Sequence, residues 1–431
     1  MKILLVNYRY YVSGGPERYM FNVTRLLESA GHEVIPFSVR YSQNSPSPYE
    51  KYFVDPIASD GEGLFREHTW TLRSLFNAVS RAVYSPAVYK TLRKLLADTQ
   101  PDVALVLCFL RKLSPSVLTA LRDAGIPTVV RLSDYSLSCP NGLLMRDGHP
   151  CQECLGHSPW PSVIHGCVQG SRGASLVNWA ATVFHRWRHL YDIPARYITP
   201  SSGLRTATLK AYSWSPEKVR RLPTFARPAL VGTPRAQRTI IAYVGRLEEG
   251  KGVDTLLAAY GQLRQTRSDL PKLVLAGDHT TPFARALQTQ ASALRLEDSI
   301  AMVGVLTGIE VEELLSKALL SVIPSTWPEN LPNTLLESLA AGTPVVASNV
   351  DSLREALEGS GAGLLVPPGD PSALATAIVS VLDQEEAEWT TMSERSRGLS
   401  LTTYSPTAHL SGLLKIFEEA LGATEQSPAA C

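Results

Sequence analysis

The chain reads as an α/β protein made of two similar units, each a parallel sheet covered by helices. Apolar strand-like runs alternate with amphipathic segments throughout, the pattern that places parallel strands between helices. The alternation restarts after an irregular stretch that ends near residue 239. At 431 residues, the chain is also too long for one ordinary core.

In the first half, residues 3–6 are an apolar run that meets Asn7-Tyr8-Arg9 at once. That is too short for a secretory leader and suits a buried first strand. Gly14-Gly15 follows, then a helix over 17–29 that Gly31 stops, and a strand over 33–39. Residues 41–47 are polar and contain proline, so they form a loop. Residues 64–96 read as helix interrupted at Pro86, with Arg66, Arg73, Arg81 and Lys90 set among Trp70, Phe76 and Tyr84. Strands over 103–107 and 128–132 flank a helix over 116–124. An atypical segment rich in Gly, Pro and Cys then runs from Cys139 to about Gly173.

A strand over 197–200 leads into the irregular linker. The second half then alternates strands at 240–244, 273–275, 300–303 and 320–323 with helices at 253–263, 283–294 and 311–318. The most informative stretch follows, W-P-E-N-L-P-N-T-L-L-E-S-L-A-A-G-T-P-V-V-A over 327–347. Glu329 and Glu337 stand eight positions apart in it. Pro328, Asn330, Pro332 and Asn333-Thr334 give a helix-start signal, because proline suits a first turn and Asn caps well. Glu329 is thus expected in a loop, Glu337 about one turn inside a helix that Gly342 stops, and 344–347 as a short buried strand. A positive helix tip beside two carboxylates suits a polyol joined to phosphate: backbone N–H groups face the anion, and the acids accept from sugar hydroxyls. An ordinary amphipathic helix with solvated acids is the plainer reading. A strand over 364–366, a helix over 371–382, a last helix over 409–421 and a frayed tail over 424–431 complete the chain.

The Glu-x7-Glu spacing followed by A-A-G-T-P-V-V-A resembles the signature of family-4 retaining glycosyltransferases. Residues 1–6 with Gly14-Gly15, Gly245-Arg246-Leu247 with Lys251-Gly252, L-V-L-A-G-D over 273–278, and Val303-Gly304 fall in the family's order. The resemblance implies the GT-B architecture: two Rossmann-like domains facing each other across a cleft, with a C-terminal helix crossing back to the first. It places an acceptor-side domain at 1–200, with the cysteine insertion 139–173, a nucleotide-sugar-binding domain at 201–403, and the crossover helix and tail at 404–431.

The implied reaction moves a sugar from a nucleoside-diphosphate sugar to a hydroxyl of a glycan, a lipid-linked sugar or a small molecule. Such a transfer must stabilise a departing diphosphate, mainly by preorganised charge. Arg246 can fork onto phosphate oxygens and Lys251 adds a point charge, on a glycine-rich loop after a strand. Two cations and a helix tip need no catalytic metal or other cofactor, and no Asp-x-Asp motif occurs. Two solvated surface charges are the alternative. The resemblance further implies that Glu337 holds the donor ribose and Glu329 the donor sugar. Asn333 and Thr334 would meet the diphosphate through backbone N–H groups, and Gly304 would line the base pocket. Gly14-Gly15 would approach donor phosphates or acceptor; a tight strand-to-helix turn explains them equally well. The segment is not G-x-G-x-x-G, so it is no dinucleotide fingerprint.

The chain departs from the family at Ser133-Asp134, where many relatives carry His-Asp. Serine can donate one hydrogen bond to a sugar but cannot become a cation. Asp134 is then a candidate for acceptor binding. Cys139-x11-Cys151-x2-Cys154-x12-Cys167 resembles a structural zinc knuckle, with free packed thiols as the alternative. The basic and aromatic stretches 64–96 and 179–191 suit either a solvated face or peripheral contact with a membrane or lipid-linked acceptor.

A formal charge of +1 argues against a nucleic-acid groove. No apolar run approaches the length that spans a bilayer, and six cysteines in a chain of this size do not suggest a secreted disulfide scaffold, so a cytoplasmic protein is expected. Two other readings stay open. One is a partner or scaffold subunit that binds nucleotide sugar with weak chemistry, favoured by Ser133. The other is a nucleotide-sugar epimerase, for which the expected acid/base residues appear in no motif.

Overall fold

The computed structural model describes residues 1–57, 72–227 and 232–425. The first unit contains strands β1 (Lys2–Val6), β2 (Glu33–Phe37), β3 (Val103–Val106) and β4 (Thr128–Arg131). A small antiparallel hairpin follows, β5 (Met145–Arg146) with β6 (His149–Pro150), and then β7 (Arg196–Thr199) and β8 (Val219–Arg221). Six of these strands make one parallel sheet in the order β2-β1-β3-β4-β7-β8. The second unit contains β9 (Ile240–Val244), β10 (Lys272–Ala276), β11 (Ile300–Gly304), β12 (Ala318–Ile323), β13 (Val345–Ser348) and β14 (Gly363–Val366), in the order β11-β10-β9-β12-β13-β14.

Both sheets are covered on both faces, so their strands are nearly all apolar. Along β1 the pleat sends Leu4 and Val6 to one core, with Ala104, Val106 and Val130. Ile3 and Leu5 go to the other, with Val103, Leu105 and Val129. That second core is completed from the far end of the chain. The helix Pro406–Glu425 lays Leu413, Ile416, Phe417 and Ala420 against it, a stripe at helical spacing. Glu419 of this helix pairs with Arg196 at 3.1 Å and Arg220 at 2.9 Å. The expected crossover is therefore present, held by apolar burial with ion pairs at its rim.

The interrupted helix over 64–96 is found as Leu72–Val83 and Pro86–Thr99, with Ser85 Oγ accepting from Val88 N at 3.4 Å to cap the second. Residues 64–71, including Arg66 and Trp70, lie outside the described residues, as do 426–431 of the tail. The first sheet runs past residue 200, where the domains were expected to divide. The helix Ser202–Tyr212 sends Leu204, Ala207 and Ala211 into the first core, and β8 adds the sixth strand. The three residues of β8, Val-Arg-Arg, carry no strand signal apart from their neighbours. Two further helices, Asp351–Leu357 and Glu386–Leu401, also escape the sequence reading.

In each sheet the order reverses beside the first strand of the unit, between β1 and β3 and between β9 and β12. Loops at the carboxyl ends of such strands frame a crevice suited to ligands.

Candidate active site

Three segments meet at the seam between the units: the loop after β9, the loop after β12, and the start of the helix Gly15–Ser29 after β1. The first two are packed backbone to side chain. Gly252 has φ +69°, and a Cβ there would fall 1.9 Å from the Pro324 carbonyl oxygen, so only glycine fits. This close approach puts Lys251 onto Glu329, Nζ to Oε1 at 2.6 Å, with both side chains largely buried. The same oxygen accepts from Ser325 Oγ at 2.5 Å and Trp327 Nε1 at 3.2 Å. All three donors converge on Oε1, which leaves Oε2 without a protein donor among the described residues. Arg246 stands apart from this knot, exposed and paired with Glu248 at 3.0 Å. The structure therefore joins one of the two expected cations to a glutamate and leaves the other reaching into solvent.

Glu337 lies one turn inside the helix Asn333–Ala340, as expected. It crosses the seam to Arg18 of the helix Gly15–Ser29, Nη1 to Oε1 at 3.1 Å. Burial pushes its carboxyl above the ordinary range, while the charge and hydrogen bond of Arg18 hold it back. Arg18 carries no motif in the sequence; only the meeting of the two units reveals it. Beside this pair lies a cavity of about 460 Å³ lined from both units, by Arg18, Arg25 and Arg227 on one side and Asn333, Glu337 and Ile309 on the other. Gly15 stands opposite Asn333, whose Nδ2 would lie 3.4 Å from a Cβ at that glycine. Gly14 precedes the helix in extended backbone and makes no side-chain cap.

The helix start differs from the sequence reading in one respect. Its cap is Pro332, without a side-chain hydrogen bond, and not an asparagine. Asn330 instead bridges the units, donating from Nδ2 to the Ser133 carbonyl at 2.9 Å and accepting from Ser201 Oγ at 2.7 Å. Thr334 turns its hydroxyl inward to the Val244 carbonyl at 2.8 Å, which ties the helix to the end of β9. Gly304 ends β11 with φ +78°, and its carbonyl accepts from Gly277 N at 2.8 Å. A Cβ at Gly304 would press on the His279 ring at 3.3 Å.

Ser133 follows β4 and sits half-buried at the seam; its Oγ accepts from Arg131 Nη1 at 3.0 Å. Asp134 is exposed and accepts from Ser136 N at 2.8 Å, the bond of a local turn.

The four cysteines of the insertion are free thiols and line one cavity of about 20 Å³, room for about one small sphere. Burial pushes the Cys154 thiol up to about 11, with Cys139, Cys167 and Cys151 adding to the shift and a backbone hydrogen bond from Ser162 opposing it. Among the described residues, however, no group of three or more His, Cys, Asp or Glu is arranged to hold a metal ion. The expected zinc knuckle is gathered but not closed. The aromatic helix spans Arg172–Trp187, earlier than 179–191, and leaves Leu176, Val183 and Trp187 exposed. No helix among the described residues is long and apolar enough to cross a membrane.

Residues 232–397 match the family described as Glycosyl transferases group 1. Over 404 residues the chain is 29% identical to a glycogen synthase of Mycobacterium tuberculosis, covering 90% of this chain and 87% of that one. It is 25% identical to a phosphatidyl-myo-inositol mannosyltransferase of Mycobacterium leprae, covering 88% and 86%. Among solved structures it resembles sucrose-phosphate synthase from Thermosynechococcus elongatus, with a TM-score of 0.70 at 20% identity over 98% and 99% of the two chains. It also resembles the Anabaena protein HepE in complex with UDP, with a TM-score of 0.64 at 17% identity over 97% and 100%. Two parallel-sheet units, a helix returning to the first, and these structural likenesses agree: the chain has the GT-B fold, and its residues 232–397 match the glycosyl transferases group 1 family.

Proposed function

We propose that the protein is a retaining glycosyltransferase that uses a nucleoside-diphosphate sugar and needs no metal at the reacting centre. The observation that carries this reading is the pair of glutamates at one seam, each held by a cation: Glu329 by Lys251 and Glu337 by Arg18. Glu337 faces the 460 Å³ cavity and suits the ribose hydroxyls of the donor. Glu329 keeps Oε2 for a hydroxyl of the sugar. Asn333 and Thr334 bring the helix tip toward the diphosphate, Gly15 lies opposite across the seam, and Lys251 and Arg246 offset the charge that develops on the leaving group. The second unit is then the donor-binding domain and the first the acceptor side. The neighbour solved with UDP and UDP-glucose supports a nucleotide donor, and the mannosyltransferase relative supports a lipid-linked acceptor as one class.

In the step itself, the bond from sugar C1 to phosphate oxygen breaks with its electron pair going to the diphosphate. The acceptor oxygen bonds C1 on the same face. Its proton passes to the departing phosphate oxygen, so no protein carboxylate has to attack C1.

The test is nucleotide release from a panel of UDP-, GDP-, ADP- and dTDP-sugars by the purified protein. Release with at least one donor is expected; binding without release, restored only by a partner protein, would favour a scaffold subunit, the reading that Ser133 invites. At the cysteine cavity we propose a structural zinc held by Cys139, Cys151, Cys154 and Cys167, supported by the four thiols sharing one space. Elemental analysis should find about one zinc per chain, and four thiols that react freely with no bound metal would refute it.

A further inference from the structure

Arg131 ends β4 and is 4% exposed, yet among the described residues it forms no ion pair with a carboxylate. Its contacts are neutral. Nη1 donates to Ser133 Oγ at 3.0 Å, Nη2 donates to Thr224 Oγ1 at 2.6 Å, and the guanidinium carbon lies 3.7 Å from the centre of the Tyr19 ring. Nε has no partner. A buried guanidinium without a counter-ion is a costly way to fill a core, and an apolar side chain of similar volume would serve packing better. The charge therefore asks for a role outside packing. Thr224 and Tyr19 are buried. Ser133 alone among the three reaches the seam, where Asn330, the neighbour of Glu329, holds its carbonyl.

We propose that Arg131 is a positioning residue for sugar transfer, acting through Ser133. By donating to Oγ it occupies a lone pair from the protein side, fixes the hydroxyl's direction, and polarises its O–H into a stronger donor toward the bound sugar. A guanidinium keeps its charge at every working pH, so the relay does not switch off as a histidine would. The proposal deepens the glycosyltransferase reading and rests on it.

The experiment compares wild type, Arg131→Met, Arg131→Lys, Ser133→Ala and the Arg131→Met/Ser133→Ala double variant. It measures kcat and KM for nucleotide release from UDP-glucose, GDP-mannose and ADP-glucose, with unfolding midpoints as the control for folding. Arg131→Met should lower kcat about tenfold while KM for the donor moves less than about threefold, and Arg131→Lys should recover part of the loss. The double variant should be no slower than Ser133→Ala, because the two residues act as one unit. If Arg131→Met does not fold, the same cycle is run with Arg131→Lys. Unchanged kcat in a folded variant, losses that multiply in the double variant, or a change confined to KM would overturn the relay and leave the glycosyltransferase reading standing. A wild type that releases nucleotide from none of the donors would remove both.

Discussion

Glu329 and Glu337 look alike in the sequence, but their surroundings give them different work. Glu329 is locked, with three donors on one oxygen, so it can present only the other to a ligand. Removing its partner should therefore hurt more than removing an exposed charge. Lys251→Met leaves a buried carboxylate unpaired and should cost about 3–5 kcal/mol of stability, read as a lowered urea midpoint. Arg246→Ala, at an exposed ion pair, should cost less than about 1 kcal/mol and instead lower turnover. Equal effects on stability would mean that the seam is not as closed as it looks. In the proposed site Glu337 is the residue that faces the nucleotide cavity. Glu337→Ala should weaken nucleotide affinity by about 1.5–3 kcal/mol, or about ten- to 150-fold in Kd, measured by calorimetry. Undiminished affinity would move the ribose elsewhere.

Among the elements, the C-terminal helix matters most, because it closes a core that the first unit cannot close alone. Phe417 is fully buried there, and Phe417→Ala should cost about 3–5 kcal/mol. The same helix carries His409 into a polar pocket. Its Nδ1–H donates to the Pro223 carbonyl at 2.7 Å, so Nε2 accepts from Tyr19 Oη at 3.0 Å, which makes the ring the neutral tautomer. Burial above all pushes its pKa down to about 3; the Pro223 hydrogen bond opposes this and the charge of Arg131 adds to it. The unfolded chain binds a proton near pH 6.5, where the folded chain refuses one. This part of the stability is complete above about pH 6.5 and is lost as pH falls toward 3. Denaturant unfolding of wild type should accordingly weaken more steeply over that window than that of His409→Leu. Parallel curves would show that another group governs the acid limb.

Across the whole molecule, polar contacts join the two units at the seam. Arg18 reaches Glu337, Asn330 reaches Ser133 and Ser201, and Glu355 takes Arg221 together with the Ser202 backbone and hydroxyl. Interfaces of this kind open and close readily. A ligand that bridges both units binds the folded form alone and must raise its apparent stability, by about 2.7 kcal/mol at a hundred times its Kd. A thermal-shift series with UDP, GDP, ADP and dTDP should thus show one nucleotide well ahead of the others. No shift with any of them would argue against a donor site at this seam.

Much of this was legible from residue types in order. Alternating apolar strands and amphipathic helices fix the two α/β units, since each pattern can bury its apolar side in only one way. The proline-and-glycine punctuation around Glu329 and Glu337 places one in a loop and the other in a helix. What the chain order could not show is which side chains meet across the seam. Arg18 and Glu337 are joined over 319 positions, Lys251 and Glu329 over 78, and Arg131 reaches Thr224 over 93 and lies over the Tyr19 ring. Local propensity governs neighbours along the backbone. Ion pairs, buried charges and a returning helix depend on how distant segments pack, and that is decided only when the cores close.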